Sequence, residues 1–102
     1  MPNPKNNAAL TLRIITPDEP MRELVCEAIR LTVKDDANGR GGGLYGIHPG
    51  HAPLLVAFGY GELTATTGGE TVLRAVTGEG FARVERDCVT VTAESVSIAT
   101  GE

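Results

Sequence analysis

Apolar and polar residues alternate along most of this chain, and the alternation is broken at short intervals by Gly, Pro, Asp and Asn. A period of two puts every second side chain on one face of a strand. Residues 9–16 open the series, with Leu10, Leu12 and Ile14 sharing a face, and Pro17-Asp18-Glu19-Pro20 stops it. Residues 21–28 and 29–34 follow almost without a break. In the second of these Ile29, Leu31 and Val33 alternate with Arg30, Thr32 and Lys34, the mark of a half-buried strand. Residues 21–28 contain helix formers, but a helix there would need an abrupt change of period before Ile29 with no Gly or Pro to allow it, which favours a strand.

Residues 35–43 read as a loop rich in Gly and Asp/Asn, in which Asn38-Gly39 can supply the positive-φ turn that closes a hairpin. Later in the chain, strands are predicted over 54–58 and 62–66, parted by Gly59-Tyr60-Gly61. Gly68-Gly69 separates these from 71–77, and Gly78-Glu79-Gly80 parts 71–77 from 81–85. The last pair spans 88–93, with Val89, Val91 and Ala93 inward, and 96–100, with Val96 and Ile98 inward. Short strands at regular spacing between Gly turns predict an all-β sandwich or barrel. Residues 1–8 read as a disordered polar tail, and 9–100 as one β-sandwich domain.

Composition narrows the classes. At 102 residues the chain is one domain by length, and a domain of this size buries roughly 65% of the surface of its unfolded chain. Apolar residues make up 41% and charged residues 22%, which places it among globular rather than disordered chains. The aromatic residues are Tyr45, Phe58, Tyr60 and Phe81, so Val, Ile, Leu and Ala must build the core, and stacking platforms for single-stranded nucleic acid are scarce. The formal net charge is −4 and the basic residues are interleaved with acids. With no basic stripe to neutralise phosphates, no nucleic-acid partner is expected, nor attachment to a membrane by charge. No leader or spanning segment follows the amino-terminal tail, so no direct membrane insertion is expected. Cys26 and Cys88 lack metal-ligand spacing and read as free thiols in a reducing compartment.

Candidate chemistry is sparse. His48 and His51 are separated by Pro-Gly, but a zinc site needs three or four ligands, and the cysteines and nearby acids lie outside this turn. Hydrogen bonding within the turn or to a partner is the better reading, and no metal and no cofactor is expected. No Ser or Cys stands in a nucleophile elbow, Ser95 and Ser97 are outward strand positions, and Gly41-Gly42-Gly43 lacks the Lys-Ser/Thr of a phosphate loop. Catalytic residues are therefore not assigned. The run Gly43-Leu44-Tyr45-Gly46-Ile47-His48-Pro49-Gly50-His51-Ala52-Pro53-Leu54-Leu55 stands apart. Gly46, Gly50, Pro49 and Pro53 would shape a tight corner carrying Leu44, Tyr45, Ala52, Leu54 and Leu55. A rigid, partly apolar corner loses little ordering entropy on docking. Ile47, Leu55 and one of Leu44 or Tyr45 are expected to turn inward as core.

This run resembles the pattern Gly-x-Phe/Leu-Gly-Ile-x-Pro-Gly-His-Ala-Pro-Leu-Leu of the epsilon subunit of rotary F-type ATP synthases. The likeness extends from about Leu10 to Ala93. Leu12-Arg13-Ile14-Ile15-Thr16-Pro17 is similar to the first strand and turn of that family, and Val84 to Ala93 to its closing hairpin. Leu44 stands where the family often has an acidic or polar residue, Glu79 looks like an insertion, and the family's carboxy-terminal helical hairpin has no counterpart before Glu102. The resemblance implies a flattened sandwich of two sheets with about ten short strands. It implies a non-catalytic central-stalk role in a proton-translocating complex, with the gamma shaft and the c-ring as partners. The place implied is cytoplasmic, peripheral on the inner face of the plasma membrane. Leu44, Tyr45, His48, His51, Ala52 and Pro53 would form the gamma/c-ring interface, and the inhibitory action of the hairpin would be missing. Two other readings remain at this stage: a small cupin-type barrel holding a metal or ligand, and an adaptor that uses the same sandwich elsewhere.

Overall fold

The computed structural model describes residues 9–34 and 43–101. The tail 1–8 and the expected Asn38-Gly39 turn lie outside these residues. Ten strands and no helix occur among the described residues. They are β1 (Leu10–Ile15), β2 (Arg22–Cys26), β3 (Ala28–Lys34), β4 (Gly43–Ile47) and β5 (Leu54–Phe58), then β6 (Tyr60–Thr67), β7 (Glu70–Thr77), β8 (Gly80–Glu85), β9 (Cys88–Ala93) and β10 (Val96–Gly101). The first sheet has the order β2-β1-β9-β8-β5 and the second β10-β7-β6-β3-β4. Among the described residues only β1 and β9 pair in parallel. The chain is thus the flattened two-sheet sandwich expected.

The period of two explains the interior. Leu10, Leu12 and Ile14 of β1, Ile29, Leu31 and Val33 of β3, and Val89, Val91 and Ala93 of β9 are all buried, each on the face its alternation assigns. With Leu63, Ala65, Leu73, Ala75, Ala82 and Val84 they fill the space between the sheets. That leaves no room there for the ligand-lined barrel of a cupin-type reading. Val96 and Ile98 are half-buried and close the edge of the core.

Several short links are crossings between sheets, one of them at Glu27, inside the stretch that the sequence reads as strand 21–28. The chain leaves the first sheet at Glu27, whose N–H donates to Thr66 O (2.9 Å), so β2 and β3 are separate strands in different sheets. The break expected at Gly59-Tyr60-Gly61 shrinks to Gly59, whose N–H donates to Lys34 O (3.2 Å), while Tyr60 and Gly61 already belong to β6. Gly78 N donates to Ser95 O (3.1 Å) and Glu94 N to Glu79 O (2.9 Å), so the β7–β8 and β9–β10 crossings run side by side and hold each other. Gly68-Gly69 is a two-residue hairpin with both φ positive (61° and 81°), the form that matches the twist of the flanking strands.

Candidate functional site

The glycine- and proline-containing run divides into a strand and a corner. Its first five residues are β4, paired with β3 in the register Leu44 opposite Thr32, Tyr45 opposite Leu31 and Gly46 opposite Arg30. Gly46 therefore sits inside a strand and not at the corner where the sequence placed it. The turn itself is 48–51: His51 N–H donates to His48 O (3.1 Å), Pro49 holds the second position and Gly50 the third with φ 87°. Proline followed by a positive-φ glycine is what a type II turn requires.

A second contact fixes this corner to the rest of the molecule. Gly50 N–H donates to Asp87 Oδ1 (2.7 Å), and Asp87 sits with Arg86 in the two-residue β8–β9 turn, both at positive φ (63° and 52°). The carbonyl of the same Asp87 accepts from Thr11 N–H (2.9 Å). One aspartate thus ties the corner to the start of β1 and to the β8–β9 hairpin. The His51 ring places Nδ1 2.7 Å from Ala52 O, so Nδ1 carries the proton and donates.

The six residues expected at an interface do not all face one way. Leu44 is 61% exposed on the outer face of β4, and His48 is exposed just beyond it. Ala52 and Pro53 are exposed on the segment that crosses to β5, and His51 is half-buried there. Tyr45 points the other way and packs against the core, as Ile47 does fully. Leu55, expected inside, is 69% exposed. The pair Leu54-Leu55 carries no alternation of its own, and the inward set of β5 is Leu54, Val56 and Phe58, which forces Leu55 out.

A second surface was not picked out in the sequence. On the outer face of the first sheet, Ile15 lies opposite Thr92, Thr92 opposite Phe81 and Phe81 opposite Ala57, a single row across four strands. Leu55 lies one row further on, opposite Arg83. Phe81 is 45% exposed, and with Ile15, Pro17 and Thr92 it lines a shallow, mainly apolar depression of about 420 Å³. The signal was present in the parity: Phe81 alternates with buried Ala82 and Val84, and Ile15 follows buried Ile14. Ion pairs Arg13–Glu23 and Arg83–Glu85 border this apolar row. Arg13 is held above its ordinary pKa first by its hydrogen bond from Nε to Glu23.

Among the described residues no three His, Cys, Asp or Glu side chains gather as a metal site would require, and Cys26 and Cys88 are free thiols. Burial pushes the Cys26 thiol up, against a smaller opposing effect of a backbone hydrogen bond at Ala28.

The family described as "ATP synthase, Delta/Epsilon chain, beta-sandwich domain" matches residues 9–99. The chain belongs to this family. An ATP synthase epsilon chain of Koribacter versatilis is 39% identical over 80% of this chain and 52% of its own length. One from Prochlorococcus marinus (strain MIT 9211) is 35% identical over 90% of this chain and 62% of its own. A chain of a cryo-EM structure of the Euglena gracilis mitochondrial ATP synthase (OSCP/F1/c-ring, rotational state 1) shares the fold. Its TM-score is 0.66 at 22% identity, covering 89% of this chain and 54% of that one. The chain therefore spans between half and two thirds of the length of these curated relatives. As an epsilon-type sandwich it has its signature residues on the strand and corner described above, and no helix among its described residues is long and apolar enough to cross a membrane.

Proposed function

We propose that this epsilon-type sandwich is a non-catalytic part of the central stalk of a proton-translocating F-type ATP synthase, linking the gamma shaft to the c-ring during ATP synthesis. In this reading the apolar row with Ile15, Phe81 and Ala57, and Leu55 in the next row, faces gamma, and Leu44, His48 and the crossing segment His51, Ala52 and Pro53 face the c-ring. Tyr45 supports that edge from inside the sandwich. The complex places the domain peripherally at the inner, cytoplasmic face of the membrane, without insertion of its own.

The observation that carries the reading is the anchoring of the signature corner by Asp87. A torque-transmitting part must not yield at its contact points, and a corner fixed by a type II turn, a side-chain bond to Gly50 and a closely packed sandwich is stiff. The exposed apolar row supplies desolvatable area of the kind protein partners cover. Capture of the separate gamma shaft and of the c-ring by the chain tests it. Phe81→Asp should abolish capture of gamma and Leu44→Asp capture of the c-ring, each leaving the other intact. Capture unchanged in both variants would place the contacts elsewhere.

A further inference from the structure

The outer face of the second sheet carries a groove whose chemistry differs from both contact surfaces above. Its floor is made of small side chains, Gly46 of β4, Ala28 of β3, and Thr64 and Thr66 of β6, and it encloses about 440 Å³. Arg30 and Arg74 rise on either side: Arg30 lies opposite Gly46 and Thr64, and Thr64 lies opposite Arg74, so the two arginines flank Thr64 in one row across the sheet. His48 and Thr71 complete the lining.

Neither arginine forms an ion pair or hydrogen bond to a side chain among the described residues, in contrast to Arg13 and Arg83. Strands are spaced about 4.8 Å apart, so the stems of these like charges stand about 10 Å from each other with only a threonine between them. The acid on this face nearest in register is Glu62, one row along, opposite Thr32 and Val76. Its carboxylate accepts from Tyr60 Oη (3.3 Å) and bonds neither arginine. Glu27, at the end of the sheet, is occupied in accepting from Gly68 N–H (2.9 Å).

We propose that this groove binds a phosphoryl group. Two guanidinium forks and three threonine hydroxyls offer more donors than the two oxygens of a carboxylate can accept, whereas the three terminal oxygens of a phosphoryl group can engage them together. The small floor lets the anion approach the sheet, and binding removes the repulsion between Arg30 and Arg74. A chain of net charge −4 is repelled by an anionic bilayer, so the source is a free phosphate or phosphomonoester rather than a lipid headgroup. The groove shares His48 with the edge assigned above to the c-ring, but it needs neither gamma nor the c-ring in order to bind an anion.

Titration of the full chain with inorganic phosphate at low ionic strength, followed by amide and arginine Nε resonances, tests this. Saturable shifts confined to Gly46, Thr64, Thr66, Arg30 and Arg74 are expected. Arg30→Gln and Arg74→Gln should each weaken binding about tenfold or more, and Glu62→Gln should tighten it. Shifts that never saturate, or that persist in the Arg30→Gln/Arg74→Gln double variant, would overturn the site. In a second arm, vesicles of phosphatidylcholine with phosphatidylglycerol should leave the chain in solution. Sedimentation with them, reversed by phosphate and lost in the double variant, would overturn the free-phosphate source.

Discussion

Gly50 shows how much of the 48–51 corner rests on single backbone positions. Its φ of 87° lies where an L side chain is strained, yet a Cβ built there would meet nothing within 4 Å. Gly50→Ala should therefore lower stability by about 1 kcal/mol through the backbone alone, without a packing defect, as read by urea unfolding. Thr77 presents the opposite case. It is buried in β7 and its Oγ1 finds no hydrogen-bond partner among the described residues. Replacement by the near-isosteric Val removes the desolvated hydroxyl and should raise stability by about 1 kcal/mol in the same assay. Cys26 makes stability depend on pH. Its folded pKa lies above the ordinary 9.0, so its contribution is complete below that value and is lost as pH rises towards and through the folded pKa. Unfolding free energy should fall above about pH 9, and Cys26→Val should flatten that part of the profile. An equal alkaline fall in Cys26→Val would assign the loss to other groups.

Strands were legible in the sequence wherever one face alone is buried. β1, β3 and β9 repeat Leu/Ile/Val at every second position, and the structure buries those residues. Two things were not legible. β4 contains two glycines and only one fully buried residue, Ile47, so its period is too weak to separate it from the turn that follows. The second is the crossing between sheets. Gly59 looks like any short break and Glu27 like the interior of a strand, because nothing in the neighbouring residues tells a crossing from a continuing or returning strand; the crossing shows only in the strand order. The candidate site was half legible for the same reason: Pro49-Gly50 predicts its turn, but Asp87, which holds that turn from another hairpin, is distant in sequence. Gly80 tests the crossing at the start of β8. A Cβ there would stand 2.1 Å from Thr92 O and 2.6 Å from Ala93 Cα, both backbone atoms that cannot swing away. Gly80→Ala should cost about 3 kcal/mol or prevent folding, seen as a lowered thermal midpoint. A midpoint close to that of the parent chain would mean that β8 and β9 part easily at this end of the first sheet.

At the scale of the whole molecule, the two sheets present unlike outer faces. The first carries the apolar row around Phe81, and the second carries threonines with Arg30 and Arg74. Between them the Asp87-anchored corner joins β4 of the second sheet to β5 of the first, so a load applied at Leu44 or His48 passes directly into the strand that bears Leu55. The proposed coupling between two turning parts needs that arrangement: separate surfaces on one stiff body. The apolar row is not legible in the sequence because Ile15, Phe81 and Ala57 stand on three separate strands, and only the pairing of the sheet brings them into line. The most direct measurement is the affinity of the chain for the isolated gamma shaft by titration calorimetry, for the parent and for Phe81→Asp, with circular dichroism confirming the fold of both. Specific binding by the parent, weakened a hundredfold or about 2.7 kcal/mol by Phe81→Asp, is the result predicted. Absence of binding by the folded parent, or equal binding by the two, would contradict the rotor coupling.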